Sequence, residues 1–311
     1  MTNPPAKATF LSRGHDRAVI EGAASREATR AGHPEVGFEH LLLGALVNGG
    51  PAARLLMDAG VGLTEARAAI DGLLHEDLAL LGIDAVFPAP SAGAGVEGPA
   101  LLPLAPRVRE LVDECPWSGG DTALVAALID EEGGRVRRLL ERLEVDTDRV
   151  RHSLGEPVRA ATTPAVDDAD PAPEGWEYTA YDLEVPVPAE RLWNVVSDPV
   201  RRGEWDPGEA RARSLDGGVV ELTRHDAAPV REALTHAVEG SEVVWARAEG
   251  EDTAPRTLRI VIEPVGDHAR LRLRLGWPNA LRGRFANRVV RWIVKQNLRG
   301  HAQAIAQAAA S

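Results

Sequence analysis

Cysteine and lysine are almost absent from this 311-residue sequence, and both shortages exclude kinds of chemistry. Cys115 is the single cysteine, so no internal disulfide can form and no multi-cysteine zinc site is available. Neither lysine, Lys7 or Lys295, follows a glycine, whereas an ATPase P-loop needs a Gly-Lys pair to reach the β- and γ-phosphates. We therefore expect no nucleotide-hydrolysing motor and a reducing, cytoplasmic location.

Long apolar runs and an excess of positive charge are also missing. No apolar run approaches the ~18 residues that cross a bilayer, and the first ten residues lack the apolar core of a signal peptide. The formal net charge is −12, and an acidic surface repels a phosphate backbone. We expect no stable membrane insertion and no nucleic-acid partner.

Catalytic and metal-binding patterns are not evident. The nine histidines form no HExxH pair and no G-x-S-x-G elbow is present. Three carboxylates, Asp198, Glu204 and Asp206, surround Trp205; we interpret them as solvated loop residues, with an acid and base pair as the alternative. The sequence therefore predicts a protein that is not an enzyme and has no metal and no cofactor.

Two segments have the composition of linkers. Residues 88–100 are rich in Pro, Gly and Ala, and residues 156–175 mix Pro, Ala and Asp. Neither has the apolar periodicity that would recover its ordering entropy through burial. We predict a first domain at 8–155, a linker at 156–175 and a second domain at 176–311.

The first domain contains an internal repeat. LLLGALVNGGPAARLL (Leu41–Leu56) matches ALVAALIDEEGGRVRRLL (Ala123–Leu140), so a helix, a Gly-Gly break and a second helix are written twice. Units of this kind bury their apolar faces by stacking on one another. The pattern predicts one all-α domain with repeats at about 12–75 and 101–155.

The second domain has a different periodicity. Residues Trp176–Pro188 alternate apolar and polar, residues Ala189–Asp198 have a helical pattern, and several strand-like runs follow. A long helix from about Asn279 to Ala309 ends the chain, with Leu281, Phe285, Val289 and Trp292 on one face. These elements predict an α+β domain in which a curved antiparallel sheet grips the last helix.

The string AGHPEVGFEHLLLGAL (Ala31–Leu46), followed by AARLLMDAGV, resembles the N-terminal repeat domain of Clp unfoldases. The resemblance implies eight short helices and the docking of substrates, adaptors or phosphorylated arginine. It marks Phe38, Glu39 and His40 as candidate ligand-binding residues, because Glu39 stands where phosphoarginine-binding members contact the guanidinium. The matching position in the second repeat falls near Thr122, without a glutamate. The alternatives are a helix-terminal charge for Glu39 and a packed, hydrogen-bonded histidine for His40.

The string YDLEVPVPAERLWNVVSDPVRRGEWDP and the long last helix resemble the START-like and polyketide-cyclase-like helix-grip superfamily. That resemblance implies an apolar cavity between sheet and helix. Its candidate lining residues, each with a place in the core as the alternative, are Trp193, Trp205, Trp245, Trp277, Phe285, Val289 and Trp292.

Three functions are compatible with this sequence. The leading hypothesis is a non-catalytic regulator, adaptor or decoy for Clp proteolysis that binds Clp adaptors, substrates or Clp-directed cyclic peptides, with a small apolar ligand in the second domain. The alternatives are a cyclase-like enzyme with the repeat domain as a docking module and a carrier of hydrophobic metabolites.

Overall fold

The computed structural model describes residues 10–83, 101–156, 175–206, 211–224, 228–247, 254–278 and 284–311. The chain divides into two compact units, residues 1–158 and 159–310. The predicted linker at 88–100 and residues 157–174 of the predicted linker at 156–175 lie outside the described residues.

The described part of the first unit is helical, with one pair of bridging strand residues. Its α-helices are α1 (Phe10–Arg30), α2 (Phe38–Asn48), α3 (Pro51–Asp58), α4 (Leu63–Leu80), α5 (Pro106–Glu114), α6 (Asp121–Asp130), α7 (Arg135–Arg142) and α8 (Thr147–Gly155). Four helices belong to each repeat, as the resemblance to the Clp repeat domain implies. The backbones of Val36 and Leu104 pair where the chain approaches α2 and α5, which ties the two repeats together.

Helix α2 is the centre of this unit. Every residue from His40 to Asn48 is buried, as expected of a helix that is apolar all round. Gly44 allows α1 to approach closely, since a Cβ at this position would lie 2.6 Å from the carbonyl oxygen of Ile20. The LLLGAL string therefore forms the core against which the other helices pack.

The described part of the second unit is a seven-stranded antiparallel sheet with helices on one face. Its order is β1-β7-β6-β5-β4-β3-β2. The strands are β1 (Trp176–Val185), β2 (Arg211–Ser214), β3 (Val219–Thr223), β4 (Val230–Val238), β5 (Glu242–Arg247), β6 (Arg256–Val265) and β7 (His268–Pro278).

Two α-helices cover the inner face of this sheet. Helix α9 (Ala189–Val196) buries Leu192, Val195 and Val196, as predicted. Helix α10 is described from Arg284 to Ala310, and the predicted start near Asn279 falls among residues 279–283, which lie outside the described range. Its C-terminal half buries Leu298, Ala302, Ile305, Ala306 and Ala309. This is the helix-grip arrangement that the sequence predicts.

Candidate functional site

Glu39 lies in the first turn of α2. Helix α2 begins at Phe38 after Gly37, and the Glu39 carboxylate folds back against the Cα of Gly37, where a Cβ would lie 2.8 Å from Oε2. An acidic side chain in this turn is stabilised by the helix dipole. Phe38 beside it is half-buried.

The Glu39 carboxylate has a partner from the second repeat. Arg135, the first residue of α7, places its Nη2 3.8 Å from Glu39 Oε1. The Arg135 guanidinium also donates a hydrogen bond to Asp77 on α4. Only 14% of the Glu39 side chain is exposed. A guanidinium of the protein itself therefore stands beside the predicted guanidinium-binding residue.

His40 is a structural residue of the α2 N-terminus. Its Nδ1 accepts a hydrogen bond from the Gly37 N–H at 2.8 Å, so the proton of the neutral ring sits on Nε2, which donates to Nδ1 of His33 at 2.8 Å. Burial lowers the pKa of His40 to about 4. The ring is neutral at pH 7 and caps the helix from the third position, as in one half of a capping box.

The acidic counterpart of Glu39 in the second repeat is Asp121, one residue before the predicted Thr122. Glu39 falls on Asp121 when the first residues of the two matched strings, Leu41 and Ala123, are aligned. Asp121 is buried and its Oδ2 accepts a hydrogen bond from the Ala52 N–H at the start of α3. Thr122 donates to the Gly119 carbonyl. In the second repeat this acidic group caps a neighbouring helix.

Trp205 and Trp245 lie in the core of the second unit, 0% and 1% exposed. Their ring centroids are 6.2 Å apart in an edge-to-face arrangement. Trp205 Nε1 donates to the Val195 carbonyl at 3.2 Å, and Trp245 Nε1 donates to the Val196 carbonyl at 3.0 Å. The two tryptophans thus satisfy carbonyls at the end of α9, which have no partner within the helix.

The other predicted cavity residues are either half-buried or outside the described part of the structure. Trp193 on α9 and Trp277 near the end of β7 are each half-buried. The side chains of Phe285, Val289 and Trp292 lie outside the described part of the structure, as does Leu281.

The sequence reasoning missed a network of buried charges beside the two tryptophans. Glu232 on β4 is 3% exposed and accepts hydrogen bonds from Arg202, Arg247 and Arg256. These arginines hold the pKa of Glu232 well below its usual range, against the opposing effect of burial. The Arg202 guanidinium is 0% exposed and lies 3.8 Å from the ring centroid of Trp205.

Asp206 belongs to the same network, so its interpretation as a solvated loop residue is wrong. It is 4% exposed, and the guanidinium of Arg224 donates to both carboxylate oxygens, at 3.0 and 2.8 Å. Arg202 Nη1 lies 3.6 Å from Asp206 Oδ2. This carboxylate is therefore buried beside two guanidinium groups rather than exposed to solvent. Asp198 and Glu204 act locally: the first accepts from the Val200 N–H and the second pairs with Arg201.

The alternation of side chains between the two faces of each strand was the sequence signal that could have revealed this network. Glu232, Arg247 and Arg256 stand opposite one another across β4, β5 and β6 in the sheet register. Each lies two residues from a buried apolar residue on its own strand, Val230, Trp245 and Leu258 respectively, and side chains two apart share a face. The charged row therefore occupies the inner, core-facing side of the sheet at the end of these strands.

Metal and membrane features are not found among the described residues. No group of three or more His, Cys, Asp or Glu side chains there could hold a metal ion. No helix in the described ranges is long and apolar enough to cross a membrane.

Family models match a segment of each unit. Residues 17–80 match the Clp repeat (R) N-terminal domain, and residues 179–310 match the family described as polyketide cyclase / dehydrase and lipid transport. The chain therefore contains a Clp repeat domain followed by a START-like helix-grip domain.

Curated relatives match the N-terminal part. The ATP-dependent Clp protease ATP-binding subunit ClpA homolog of Guillardia theta is 33% identical over 134 residues, which cover 41% of this chain and 15% of that protein. Chaperone protein ClpC1 of Arabidopsis thaliana is 31% identical over 134 residues, which cover 41% of this chain and 13% of that protein. This chain thus spans less than a fifth of the length of these relatives.

Solved structures match the C-terminal part. A START superfamily protein from Mycobacterium smegmatis is 21% identical and covers 41% of this chain and 92% of its own, with a TM-score of 0.34.

Proposed function

We propose that this protein is a non-catalytic regulator, adaptor or decoy for Clp proteolysis that also binds a small apolar ligand. The observation that carries the proposal is the joining, in one chain, of a Clp repeat domain and a START-like domain. The relatives that share the first domain are named as ATP-binding subunits and chaperones of the Clp system. A protein that presents the same docking surface competes for, or delivers, the same adaptors, substrates or Clp-directed cyclic peptides.

The first repeat supplies the docking residues in this proposal. Glu39 is a carboxylate of low exposure at a helix N-terminus, with Phe38 beside it, whereas Asp121 in the second repeat already caps α3. Arg135 stands next to Glu39, so a cationic group of a partner replaces Arg135 there. His40 holds the start of α2 in place and has a positioning role.

The START-like domain supplies the ligand site. Apolar side chains of β5, β6 and β7 face inward, among them Val243, Leu258, Ile260 and Leu273. We propose that an apolar ligand lies against this face near Trp193 and Trp277, and that its binding reports a metabolite to the Clp system.

A cyclase-like enzyme with a docking module is the second candidate, and the buried His301 beside charged groups favours it. Two facts favour a binding protein. Glu232 is held as a carboxylate by three arginines, and Asp206 is held on both oxygens by Arg224. Because its pKa lies well below the usual range, Glu232 is not a proton donor at neutral pH.

Isothermal titration of a Clp-directed cyclic peptide into the full chain tests the docking part. We expect one site per chain and loss of binding in Glu39→Gln, with binding unchanged in Glu221→Gln, a carboxylate on the second domain. Absence of binding to wild type at millimolar peptide contradicts the peptide-binding part of the proposal.

A further inference from the structure

The buried network of the START-like domain has more cations than anions among its described members. Four guanidinium groups, those of Arg202, Arg224, Arg247 and Arg256, surround the carboxylates of Glu232 and Asp206. All four of these side chains are at most 26% exposed. Excess charge of one sign in such a place is costly unless another partner compensates it.

Besides Nε of Arg247, two nitrogen atoms of this region have no hydrogen-bond partner within the described part of the chain. One is Nη1 of Arg202, a donor with no exposure; Asp206 Oδ2, at 3.6 Å, is beyond hydrogen-bond distance. The other is Nε2 of His301 on α10, which is 2% exposed. His301 Nδ1 lies 3.0 Å from the Asn297 carbonyl and must donate to it, so Nε2 is a bare acceptor. A buried polar atom without a partner destabilises the folded state, so both atoms indicate a missing partner.

Trp205 brings these two residues into one neighbourhood. Its ring lies 3.8 Å from the Arg202 guanidinium carbon, and its centroid is 6.4 Å from that of His301. Burial, together with the positive charges of Arg256 and Arg202, lowers the pKa of His301 to about 3, opposed by the Asn297 carbonyl and by Asp206. An anion bound here would offset the positive charges of Arg256 and Arg202.

We propose that this cluster binds the carboxylate of an organic acid whose apolar remainder lies on the inner face of the sheet. The inference rests on the proposed apolar-ligand site and names the ligand class. A carboxylate accepts from guanidinium N–H groups in a matching planar geometry. It also supplies negative charge to a network whose described guanidinium groups outnumber its carboxylates.

Three probes with the same apolar chain test the proposal: decanoate, 1-decanol and methyl decanoate, titrated into the full protein at pH 7.5. Charge-assisted hydrogen bonds contribute about 1.5–3 kcal/mol, so decanoate should bind about 10- to 100-fold tighter than the ester. Equal affinity of all three probes overturns the carboxylate site but leaves the apolar site standing. Absence of binding by every probe overturns both.

Variants assign the effect to residues. Arg202→Gln should reduce the preference for decanoate to less than about threefold, because Glu232 keeps Arg247 and Arg256 but the ligand loses its donor. His301→Gln replaces the acceptor Nε2 with an amide that can donate to the carboxylate, so the preference for decanoate should persist. Arg231→Gln, which removes a guanidinium that is 70% exposed, is the matched control and should leave the preference unchanged. Should Arg202→Gln fail to fold, a preference for decanoate below about threefold in the wild type overturns the proposal by itself.

Discussion

The Glu39 carboxylate of the first repeat and the Arg135 guanidinium of the second lie 3.8 Å apart. This contact joins the residue that the sequence marks as a guanidinium binder to a guanidinium of the same chain. A ligand that uses Glu39 must displace Arg135, which retains Asp77 as a partner when it leaves. The proposed site therefore lies at the interface between the two repeats, where Arg135 competes with a ligand for Glu39.

Phosphoarginine binding should depend on both residues of this pair. Glu39→Gln removes a charge-assisted bond and should weaken binding by about one to two orders of magnitude. Arg135→Gln removes the competitor and should strengthen binding by up to about fivefold, because partly exposed ion pairs contribute less than about 1 kcal/mol. Titration calorimetry with the full chain measures both effects.

Thr122→Ala is the control for that series. Its hydroxyl bonds the Gly119 carbonyl and the acidic group of the second repeat caps α3, so ligand affinity should hardly change. Stronger weakening by Thr122→Ala than by Glu39→Gln would assign the working site to the second repeat.

Two mid-helix glycines should respond in opposite directions to alanine. At Gly44 a methyl group would lie 2.6 Å from the Ile20 carbonyl oxygen and 2.9 Å from the Ala24 nitrogen. Gly44→Ala should therefore destabilise the repeat domain by about 1–3 kcal/mol. At Gly22 the nearest atom is the end of the Arg26 side chain at 3.9 Å, and Gly22→Ala should stabilise by about 0.5–1 kcal/mol. Urea unfolding gives both free energies; equal effects would mean that α1 and α2 do not cross closely at Gly44.

The repeat domain should lose stability as the pH falls from 7 to 5. The pKa of His40 is about 4 in the folded domain and near 6.5 in the unfolded chain. The unfolded state therefore binds more protons in this window, and about 2 kcal/mol of unfolding free energy should be lost. His40→Asn keeps an acceptor for the Gly37 N–H but does not titrate, so its unfolding free energy should depend less on pH. An identical pH dependence in wild type and variant would contradict the neutral, buried assignment of His40.

Much of this structure could be predicted from the pattern of apolar and polar residues along short segments. The buried charged network of the second unit could not. Neighbouring residues determine the alternation of β6 and β7, the apolar face of α9 and the duplicated helix pair. The burial of Asp206 and the Glu39–Arg135 contact depend on side chains that are distant in sequence. Parity along β4, β5 and β6 does place Glu232, Arg247 and Arg256 on the inner face, but their mutual pairing requires the strand register.

Glu232 should be the residue on which the START-like domain depends most. Glu232→Gln leaves three buried or half-buried guanidinium groups without their anion and should cost about 3–5 kcal/mol. Glu221, which pairs with Arg213 and Arg231 on exposed strands, is the matched control, and Glu221→Gln should lose far less. Thermal unfolding of the full chain compares the two. Equal losses would show that burial of the network is not what stabilises it.

The proposed link to Clp proteolysis is tested most directly by the rate at which a reconstituted Clp protease from the same organism degrades a model substrate in the presence of this protein. A decoy slows degradation and an adaptor accelerates it, and either change should disappear with Glu39→Gln and persist with Glu221→Gln. An unchanged rate at a tenfold molar excess of wild type over the unfoldase would contradict the account.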